Sequence, residues 1–255
     1  MKVVIVENPK AVGAAAAQII ATVVLAKPRA VLGFATGSSP GATYRSLATM
    51  VQAVHLDFSE VRGFALDEYV GIPRGHPASY AEVIRREIVE PLGLTPANVS
   101  VPDGQAQDLD QAGRDYEEAI IEAGGIDIQI LGIGANGHIG FNEPTSSLTS
   151  LTRIKTLTES TRRDNARFFD HLSAVPVHCL TQGLGTILRS HELVLVAHGS
   201  HKAVALAAAV EGPLTSMVPA SVIQLHSRAT VIVDEEAASL LTLTQYYRFV
   251  ASHLP

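Results

Sequence analysis

An α/β fold, with a mostly parallel sheet covered by helices on both faces, is the fold class that the sequence predicts. Short apolar runs rich in β-branched residues alternate with segments of helical composition throughout the chain, as they do in βα units. These runs are continuous rather than alternating in polarity, which indicates strands that are buried on both faces. No linker or internal repeat interrupts the 255 residues, so we expect one domain spanning residues 1–255.

The first half of the chain alternates strands with well-delimited helices. The predicted strands cover residues 3–6, 30–35, 61–66, 98–101 and 126–131. The predicted helices cover residues 9–26, 39–54, 77–90 and 109–123. Ser39 is a good N-cap with Pro40 at the first helical position, and Gly124 follows the last of these helices as a stop signal.

The second half contains a long polar segment between its regular elements. The predicted strands cover residues 193–197 and 230–234, and the predicted helices cover residues 181–190, 201–210 and the C-terminal part to about residue 251. Residues 144–176 are polar, with only a short helix predicted near 162–169. A long segment of this kind in a compact domain is usually functional, often as a lid.

Composition argues against several classes of function. The formal net charge of −6 and the isoelectric point of about 5.9 argue against nucleic acid as the main partner. The single cysteine, Cys179, excludes an intramolecular disulfide and a zinc site built from several cysteines. The N-terminal apolar run is too short for a signal peptide, and the run 12–26 is interrupted by Gln18 and falls short of a membrane span. We therefore expect a soluble, cytoplasmic protein with no membrane partner.

The loop after the predicted strand 126–131 concentrates groups that can carry chemistry. It reads GIGANGHIGFNEP over residues 132–144, and its glycines allow a ligand to approach the backbone closely. His138 titrates near neutral pH without help, which makes it the natural proton carrier, and Glu143 would hold it in one tautomer. The loop is not a dinucleotide-binding GxGxxG turn, because Gly140 and Pro144 follow instead of a helix. From spacing alone, a catalytic loop and an ordinary glycine-rich turn stay equally open.

The turn TGSSPG at residues 36–41 has the features of a phosphate site. Backbone N–H groups at the start of a helix and the positive end of its dipole attract anions, and the hydroxyls of Ser38 and Ser39 add donors. Lys202 lies in the first turn of the predicted helix 201–210, where the positive end of the helix dipole disfavours a cation. A lysine at such a position can be explained if it binds a phosphate. An ordinary capped helix and a surface lysine are the alternatives, and both stay open.

Asp67 and Glu68 follow the predicted strand 61–66, at the carboxyl end where α/β folds bind ligands. Because adjacent residues of a strand point in different directions, only one of these acids can face a site directly. The alternative is that Asp67 is a turn residue before Gly71. The polar motifs at 36–41, 67–69 and 132–143 each follow a strand, so we expect them to gather along one edge of the sheet.

Five segments together resemble the glucosamine-6-phosphate deaminase family. They are LDEYVGIP (66–73), GIGANGHIGFNEP (132–144), TRIKTLT (152–158), TRRDNARFF (161–169) and AVEGP (209–213). The resemblance covers nearly the whole chain in the same order, and the first two motifs are the most specific. It implies a Rossmann-like three-layer α/β fold and the conversion of glucosamine 6-phosphate to fructose 6-phosphate and ammonia. The family needs neither a metal nor an organic cofactor.

The resemblance also implies a role for each matching residue. Asp67 would move the proton from C2 to C1, and His138 would open the sugar ring together with Glu143. Asn136 stands where many members have aspartate, and it would orient or hydrogen-bond because an amide cannot ionise. The residues that match the family's phosphate site are Gly37, Ser38, Ser39, Arg167 and Lys202.

Regulation and assembly are further expectations from the resemblance. The stretch around residues 153–182 resembles the family's mobile lid. Ser146, Arg153 and Lys155 match residues through which some members bind N-acetylglucosamine 6-phosphate at a subunit interface. The chain ends at Pro255, whereas part of that site comes from a longer tail in regulated members, which argues against allostery. A homo-oligomer is an open expectation, because family members range from monomers to hexamers.

Two other functions fit this fold class. A sugar-phosphate lactonase shares a related glycine-rich loop, but the FNEP ending and the LDEYVG stretch resemble the deaminase. A sugar-phosphate-sensing domain of a transcription regulator normally follows a helix-turn-helix, whereas this chain starts with its first predicted strand and is acidic. Ammonia release would identify the deaminase, lactone hydrolysis the lactonase, and sugar-phosphate binding without turnover the sensing domain.

Overall fold

The computed structural model describes residues 1–54, 56–73 and 75–253. Its strands are, in chain order, β1 (Lys2–Val6), β2 (Val31–Phe34), β3 (Arg62–Ala65), β4 (Asp67–Tyr69), β5 (Val99–Ser100), β6 (Ile128–Leu131), β7 (Arg153–Thr156), β8 (His178–Thr181), β9 (Glu192–Ala197) and β10 (Ala229–Asp234). Its α-helices are α1 (Pro9–Ala26), α2 (Ser38–Val54), α3 (Tyr80–Ile84), α4 (Glu90–Leu92), α5 (Leu109–Glu122), α6 (Glu159–Asn165), α7 (Leu184–Leu188), α8 (Ala203–Val210) and α9 (Thr244–Ser252).

Seven strands form a parallel sheet in the order β1-β10-β9-β6-β2-β3-β5. Neighbouring residues of β2 pack against opposite layers of this sheet. Leu32 belongs to the main core with Ile20 of α1, whereas Val31 packs in a separate cluster with Tyr116 of α5. Successive side chains of a strand point to opposite faces, so α1 and α5 cover different faces. The predicted α/β class with helices on both faces is confirmed.

Helix α1 is the central helix of one layer. Asn8 caps it by accepting from the amide of Ala11, and Pro9 occupies its first turn. It crosses α2 at Gly13, where a Cβ atom would lie 2.5 Å from the carbonyl oxygen of Ala42, so the close approach requires glycine. By length and composition alone α1 is long and apolar enough to cross a membrane. The expectation that the run 12–26 falls short of a membrane span therefore does not hold by this criterion. In the fold its buried residues pack against α2, β9 and β10.

A second, three-stranded antiparallel sheet has the order β4-β8-β7, and the sequence pattern did not predict it. Its strands have three or four residues each, and β7 reads RIKT in a polar stretch. Strand β4 also follows β3 after one residue, so the two appear as one run in the sequence. Such short strands are stabilised by pairing across long sequence separations, which local periodicity does not report.

Several helix boundaries differ from the predicted ones. The helix expected over 181–190 begins only at Leu184, because residues 178–181 form β8. The helix expected over 77–90 is divided by a π-helical turn at Arg85–Val89 between α3 and α4. The helix expected to begin at residue 39 begins at Ser38. The remaining predicted elements of the parallel sheet and its main helices are present, with ends shifted by a few residues.

Candidate active site

The turn after β2 and the loop after β6 lie side by side at the carboxyl edge of the parallel sheet. Strands β2 and β6 are the neighbours where the strand order reverses, since β3 and β5 lie beyond β2 and β9 and β10 lie beyond β6. Open α/β sheets bind ligands at such a switch point. The two segments touch, because a Cβ atom on Gly132 would lie 3.5 Å from the Pro40 side chain. Two of the three polar motifs expected to gather, 36–41 and 132–143, therefore lie together at this edge.

A hydrogen-bonded chain joins Glu143, Asn136 and His138 within the loop 132–144. Asn136 Nδ2 donates to Glu143 Oε2 at 2.7 Å, and Asn136 Oδ1 lies 2.7 Å from His138 Nδ1. The imidazole occupies the space that a side chain at Gly134 would need, which explains the glycine there. The side chain of His138 is 18% exposed and that of Glu143 only 3%, so His138 is more accessible to a ligand than Glu143.

The direction of these bonds assigns the proton on the imidazole. A carboxylate only accepts, so the Asn136 amide must turn its NH₂ group to Glu143 and its oxygen to His138. The backbone N–H of His138 donates to the same oxygen at 3.2 Å. The ring therefore carries its proton on Nδ1, and Nε2 is left free to accept a proton from a ligand.

Electrostatics keep His138 neutral and Glu143 ionised. Burial lowers the pKa of His138; the charge of Glu143 opposes this effect and that of Lys202 reinforces it. Burial would raise the pKa of Glu143, but hydrogen bonds from Thr161, Thr158 and Asn136 outweigh it and lower the pKa. Once His138 takes up a proton, the carboxylate, 3.7 Å from Nδ1, stabilises the imidazolium.

Asp67 lies beneath the same loop. It is 7% exposed and pairs across the second sheet with Thr181 of β8. Burial and, second, the charge of Glu68 raise the pKa of Asp67 to about 8. A Cβ atom on Gly140, two residues after His138, would lie 3.5 Å from Asp67 Oδ2. The loop therefore lies directly against this carboxylate.

Glu68 points away from this cluster, as expected for the neighbour of Asp67 on a strand. Its carboxylate accepts the backbone N–H groups of Tyr69 at 2.8 Å, Tyr80 at 3.0 Å and Ala81 at 2.9 Å. Two of these donors belong to the first turn of α3, where a negative charge is favourable. Of the two adjacent acids, Asp67 lies against the loop 132–144, whereas the hydrogen bonds of Glu68 go to β4 and α3.

The buried carboxylate of Asp67 has a consequence for stability. Its folded-state pKa lies above the ordinary value of 3.8, so the folded protein binds the proton more tightly than the unfolded chain between pH 3.8 and about pH 8. Stability is therefore lost as the pH rises through this window. We expect Asp67→Asn to raise the free energy of unfolding by at most about 4 kcal/mol at pH 7 and about 1.5 kcal/mol at pH 5. Urea unfolding at both pH values measures this, and equal or lower stability of the variant at both would contradict the burial penalty.

The residues expected at a phosphate lie around the same edge. Gly37 has a φ of +109°, Ser38 begins α2 and is exposed, and Ser39 is buried. Lys202 ends a 3₁₀ turn that follows β9, the strand next to β6. Burial lowers the pKa of Lys202, with the charge of Asp164 opposing it and that of Arg167 reinforcing it. A cationic region thus adjoins His138, whose pKa also responds to Lys202.

Two of the three residues of the expected effector site, Ser146 and Arg153, contact the loop 132–144. The buried Ser146 hydroxyl donates to the carbonyl oxygen of Glu143 at 2.7 Å, and Arg153 Nη1 donates to Asn142 Oδ1 at 2.8 Å. Lys155 lies two residues further along β7, hence on the same face as Arg153. The structure links Ser146 and Arg153 to the loop 132–144, and the role of all three residues in allostery stays a prediction.

Metal chemistry has no obvious ligand set in this region. Within residues 1–54, 56–73 and 75–253, no group of three or more His, Cys, Asp and Glu side chains is arranged to hold a metal ion. The expectation that neither metal nor cofactor is needed stays a prediction.

Sequence reasoning missed the side chains that support the site. Thr158 donates its backbone N–H and hydroxyl to Glu143 Oε1, at 3.1 and 3.2 Å, and the Thr181 hydroxyl accepts from the amide of Phe141 at 3.1 Å. Tyr69 and Phe141, with ring centroids 5.7 Å apart, line the cluster next to Asp67. Both aromatic residues lie inside the two most specific motifs, and that position is the signal that could have identified them.

Comparison with known proteins identifies the family of this chain. Residues 7–232 match the family model described as glucosamine-6-phosphate isomerases/6-phosphogluconolactonase. A glucosamine-6-phosphate deaminase of Cutibacterium acnes is 56% identical over 99% of this chain and 97% of its own, and one of Rhodococcus opacus is 54% identical over 100% and 98%.

Solved structures extend the comparison to the fold. A structure described as a monomeric glucosamine-6-phosphate deaminase has a TM-score of 0.92 and 42% identity, covering 94% of this chain and all of its own. A 6-phosphogluconolactonase of Trypanosoma brucei, 17% identical with a TM-score of 0.72 over 94% of this chain and 98% of its own, shares the fold. The chain belongs to the glucosamine-6-phosphate isomerase/6-phosphogluconolactonase family.

Proposed function

We propose that this chain converts glucosamine 6-phosphate to fructose 6-phosphate and ammonia. The observation that carries the proposal is the placement of two proton carriers by one loop: neutral His138, with Nε2 free, and the buried carboxylate of Asp67 against Gly140. Aldose–ketose isomerisation needs such a pair, one group for ring opening and one for proton transfer between neighbouring carbons. The relatives at 56% and 54% identity over nearly the whole chain support the same activity.

Ring opening is the first step. The Nε2 atom of His138 accepts the proton of the C1 hydroxyl, the C1 carbonyl forms, and the bond between C1 and the ring oxygen breaks. The imidazolium then returns its proton to the ring oxygen, which becomes the C5 hydroxyl. Glu143 stabilises the charged imidazolium through Asn136, so it orients the ring and balances its charge without touching the substrate.

Proton transfer between C2 and C1 is the work of Asp67. As a carboxylate it takes the proton from C2 while the substrate's ammonium group gives a proton to the C1 oxygen, which yields an enol-amine. It then delivers its proton to C1, which leaves a protonated imine at C2. Addition of water to the imine and loss of ammonia give the C2 ketone of fructose 6-phosphate. The raised pKa makes this carboxylate a stronger base than an exposed aspartate, because burial removes the water that would stabilise its charge.

Phosphate recognition would use the cationic region beside His138. Lys202 and Arg167 supply charge, and the turn Gly37–Ser39 supplies the N–H groups at the start of α2, a preferred site for anions. Binding the phosphate between α2 and Lys202 would lay the sugar across the loop 132–144 towards Asp67. This placement is supported by the strand order, in which β9, β6, β2 and β3 are consecutive.

Movement of the polar segment is also part of the proposal. The lid expected over about residues 153–182 includes β8, which pairs with β4, and β7, which pairs with β8. The stretch between these strands is held less firmly, since only Thr161 is buried in α6. We therefore expect the movable part to be the stretch between the strands.

Ammonia release tests the proposed function directly. The purified protein, incubated with glucosamine 6-phosphate, should release ammonia and fructose 6-phosphate in equal amounts in coupled assays. Galactosamine 6-phosphate and 6-phosphogluconolactone serve as matched alternative substrates. Hydrolysis of the lactone without ammonia release from either amino sugar would contradict the proposal and identify a lactonase.

The same assay tests regulation and assembly. Addition of N-acetylglucosamine 6-phosphate should raise the rate if Ser146, Arg153 and Lys155 form an effector site. Sedimentation velocity at assay concentrations reports whether the chain is an oligomer; the similar solved structure is described as monomeric. A cytoplasmic location is likewise part of the proposal and stays a prediction.

A further inference from the structure

Tyr69 contacts three segments near the candidate base: α3, the loop 132–144 and the stretch that contains Phe169. It lies two residues after Asp67 on β4, hence on the same face of the strand. Its ring stacks on Tyr80 of α3 with centroids 5.0 Å apart, and it packs against Phe141 of the catalytic loop at 5.7 Å. It also meets Phe169 edge to face at 5.6 Å. With 1% of its surface exposed, Tyr69 is the centre of this cluster.

The stretch 159–169, which we call the cover segment, has few other anchors. Thr161 is its buried residue, whereas most of its members are exposed, including Phe168 at 55%. Arg162 donates to the carbonyl oxygens of Leu172 and Val175, which belong to the same polar stretch. Elements with few buried contacts open more easily than the core. Its other contacts with the main body include the hydrogen bond from Thr161 to Glu143 and the stacking of Phe169 on His76. Because these contacts are few, losing one more should make the segment open more often.

The hydroxyl of Tyr69 makes such a contact. Asn165 Nδ2, at the end of α6, donates to Tyr69 Oη at 3.0 Å, and the Tyr80 hydroxyl donates to the same atom at 3.3 Å. Packing in the aromatic cluster requires only the ring. Phenylalanine would fill the same space, so packing does not explain the buried hydroxyl. Its hydrogen bond to Asn165 indicates that the hydroxyl holds the cover segment.

We propose that Tyr69 is a positioning residue, which latches the cover segment over Asp67 through the hydrogen bond to Asn165 and the contact with Phe169. Closing this segment excludes water from the carboxylate that carries the proton between C2 and C1. The inference rests on the proposed deaminase function. Its structural part, the latch, can be tested without any activity.

Hydrogen exchange of the cover segment tests the latch. In Tyr69→Phe the ring stays and the acceptor for Asn165 is lost, so backbone amides of residues 159–169 should exchange about twofold to tenfold faster than in the wild type. Tyr80→Phe is the matched control, because it removes a neighbouring phenol hydroxyl that donates to Tyr69 and not to the cover segment. Wild-type exchange in Tyr69→Phe, or an equal increase in Tyr80→Phe, would overturn the latch.

A mutant cycle with Asn165→Leu shows whether the two side chains act together. Both single variants and the double variant should show the same increase in exchange, since each removes the same hydrogen bond. Additive increases would overturn the pairing. Thermal unfolding of each variant confirms that it is folded before the comparison is made.

The pH profile tests the effect on Asp67. The titratable groups whose charge interacts with this carboxylate are Glu68, Tyr69, Tyr80, Tyr116 and Cys179. Admitting water lowers the pKa of a buried acid, so the acid limb of kcat/KM should move to lower pH in Tyr69→Phe, with a higher KM. An unchanged limb would overturn the shielding role. Absence of ammonia release from the wild type would instead reject the proposed function, while the exchange data would still decide the latch.

Discussion

Replacing Asp67 by asparagine is expected to lower kcat by about 10³-fold, which is within the usual range for loss of a general base. The amide fills nearly the same space between Gly140 and Thr181 but cannot take the proton from C2. Steady-state ammonia release at saturating substrate measures this effect. Binding of an open-chain sugar-alcohol analogue, followed by calorimetry, should be largely retained because the phosphate and loop contacts are unchanged.

Glu68→Gln is the matched control for Asp67→Asn. The two carboxylates are adjacent and buried, yet Glu68 accepts from the first turn of α3, whereas Asp67 lies against the catalytic loop. The control variant should therefore keep most of its turnover. An Asp67→Asn protein with wild-type turnover would reject the role of Asp67, and equal losses in both variants would indicate damage to β4 rather than loss of a base.

Replacing His138 by glutamine is expected to lower kcat/KM on cyclic glucosamine 6-phosphate by about 10²-fold. Glutamine can keep a hydrogen bond to Asn136, but it has no atom that accepts and returns a proton at neutral pH. The loss should be much smaller on an analogue that cannot form the pyranose ring, because that substrate needs no ring opening. The ratio of the rate on the cyclic substrate to the rate on the open-chain analogue reports the contribution of His138 to ring opening.

His191→Gln provides the comparison for this variant. His191 is exposed and precedes β9, so it lies at the amino edge of the parallel sheet, opposite the site. Its rates on both substrates should equal those of the wild type. Equal losses of His138→Gln on the cyclic and the open-chain substrate would show that His138 positions the sugar rather than opening its ring.

The pH dependence of the wild type follows from the same two groups. Because the pKa of Asp67 is raised to about 8 by burial, the active carboxylate becomes more abundant as the pH rises towards 8. The lowered pKa of His138 keeps it neutral across this range. The acid limb of kcat/KM should thus belong to Asp67, and it should be absent from the residual activity of Asp67→Asn.

Much of the fold could be predicted from local patterns. Helices α1 and α5 are marked by their caps and stop signals. Strands β9 and β10 are continuous apolar runs, which are typical of a sheet covered on both faces. The second sheet could not be predicted. Asp67 pairs with Thr181 and Thr181 with Arg153, contacts between segments that are far apart in the chain. No periodicity in a strand of three or four residues specifies such partners.

The sequence by itself determined which groups the site contains and where its segments leave the sheet. The motifs at 36–41, 67–69 and 132–143 follow strands, and parallel strands end at one edge. Only the tertiary structure decided how these groups act: that Asp67 and not Glu68 faces the loop, that Asn136 fixes the proton of His138 on Nδ1, and that Tyr69 meets Asn165. The physical reason is that burial and hydrogen-bond direction set a pKa, and both depend on partners brought together only when the chain folds.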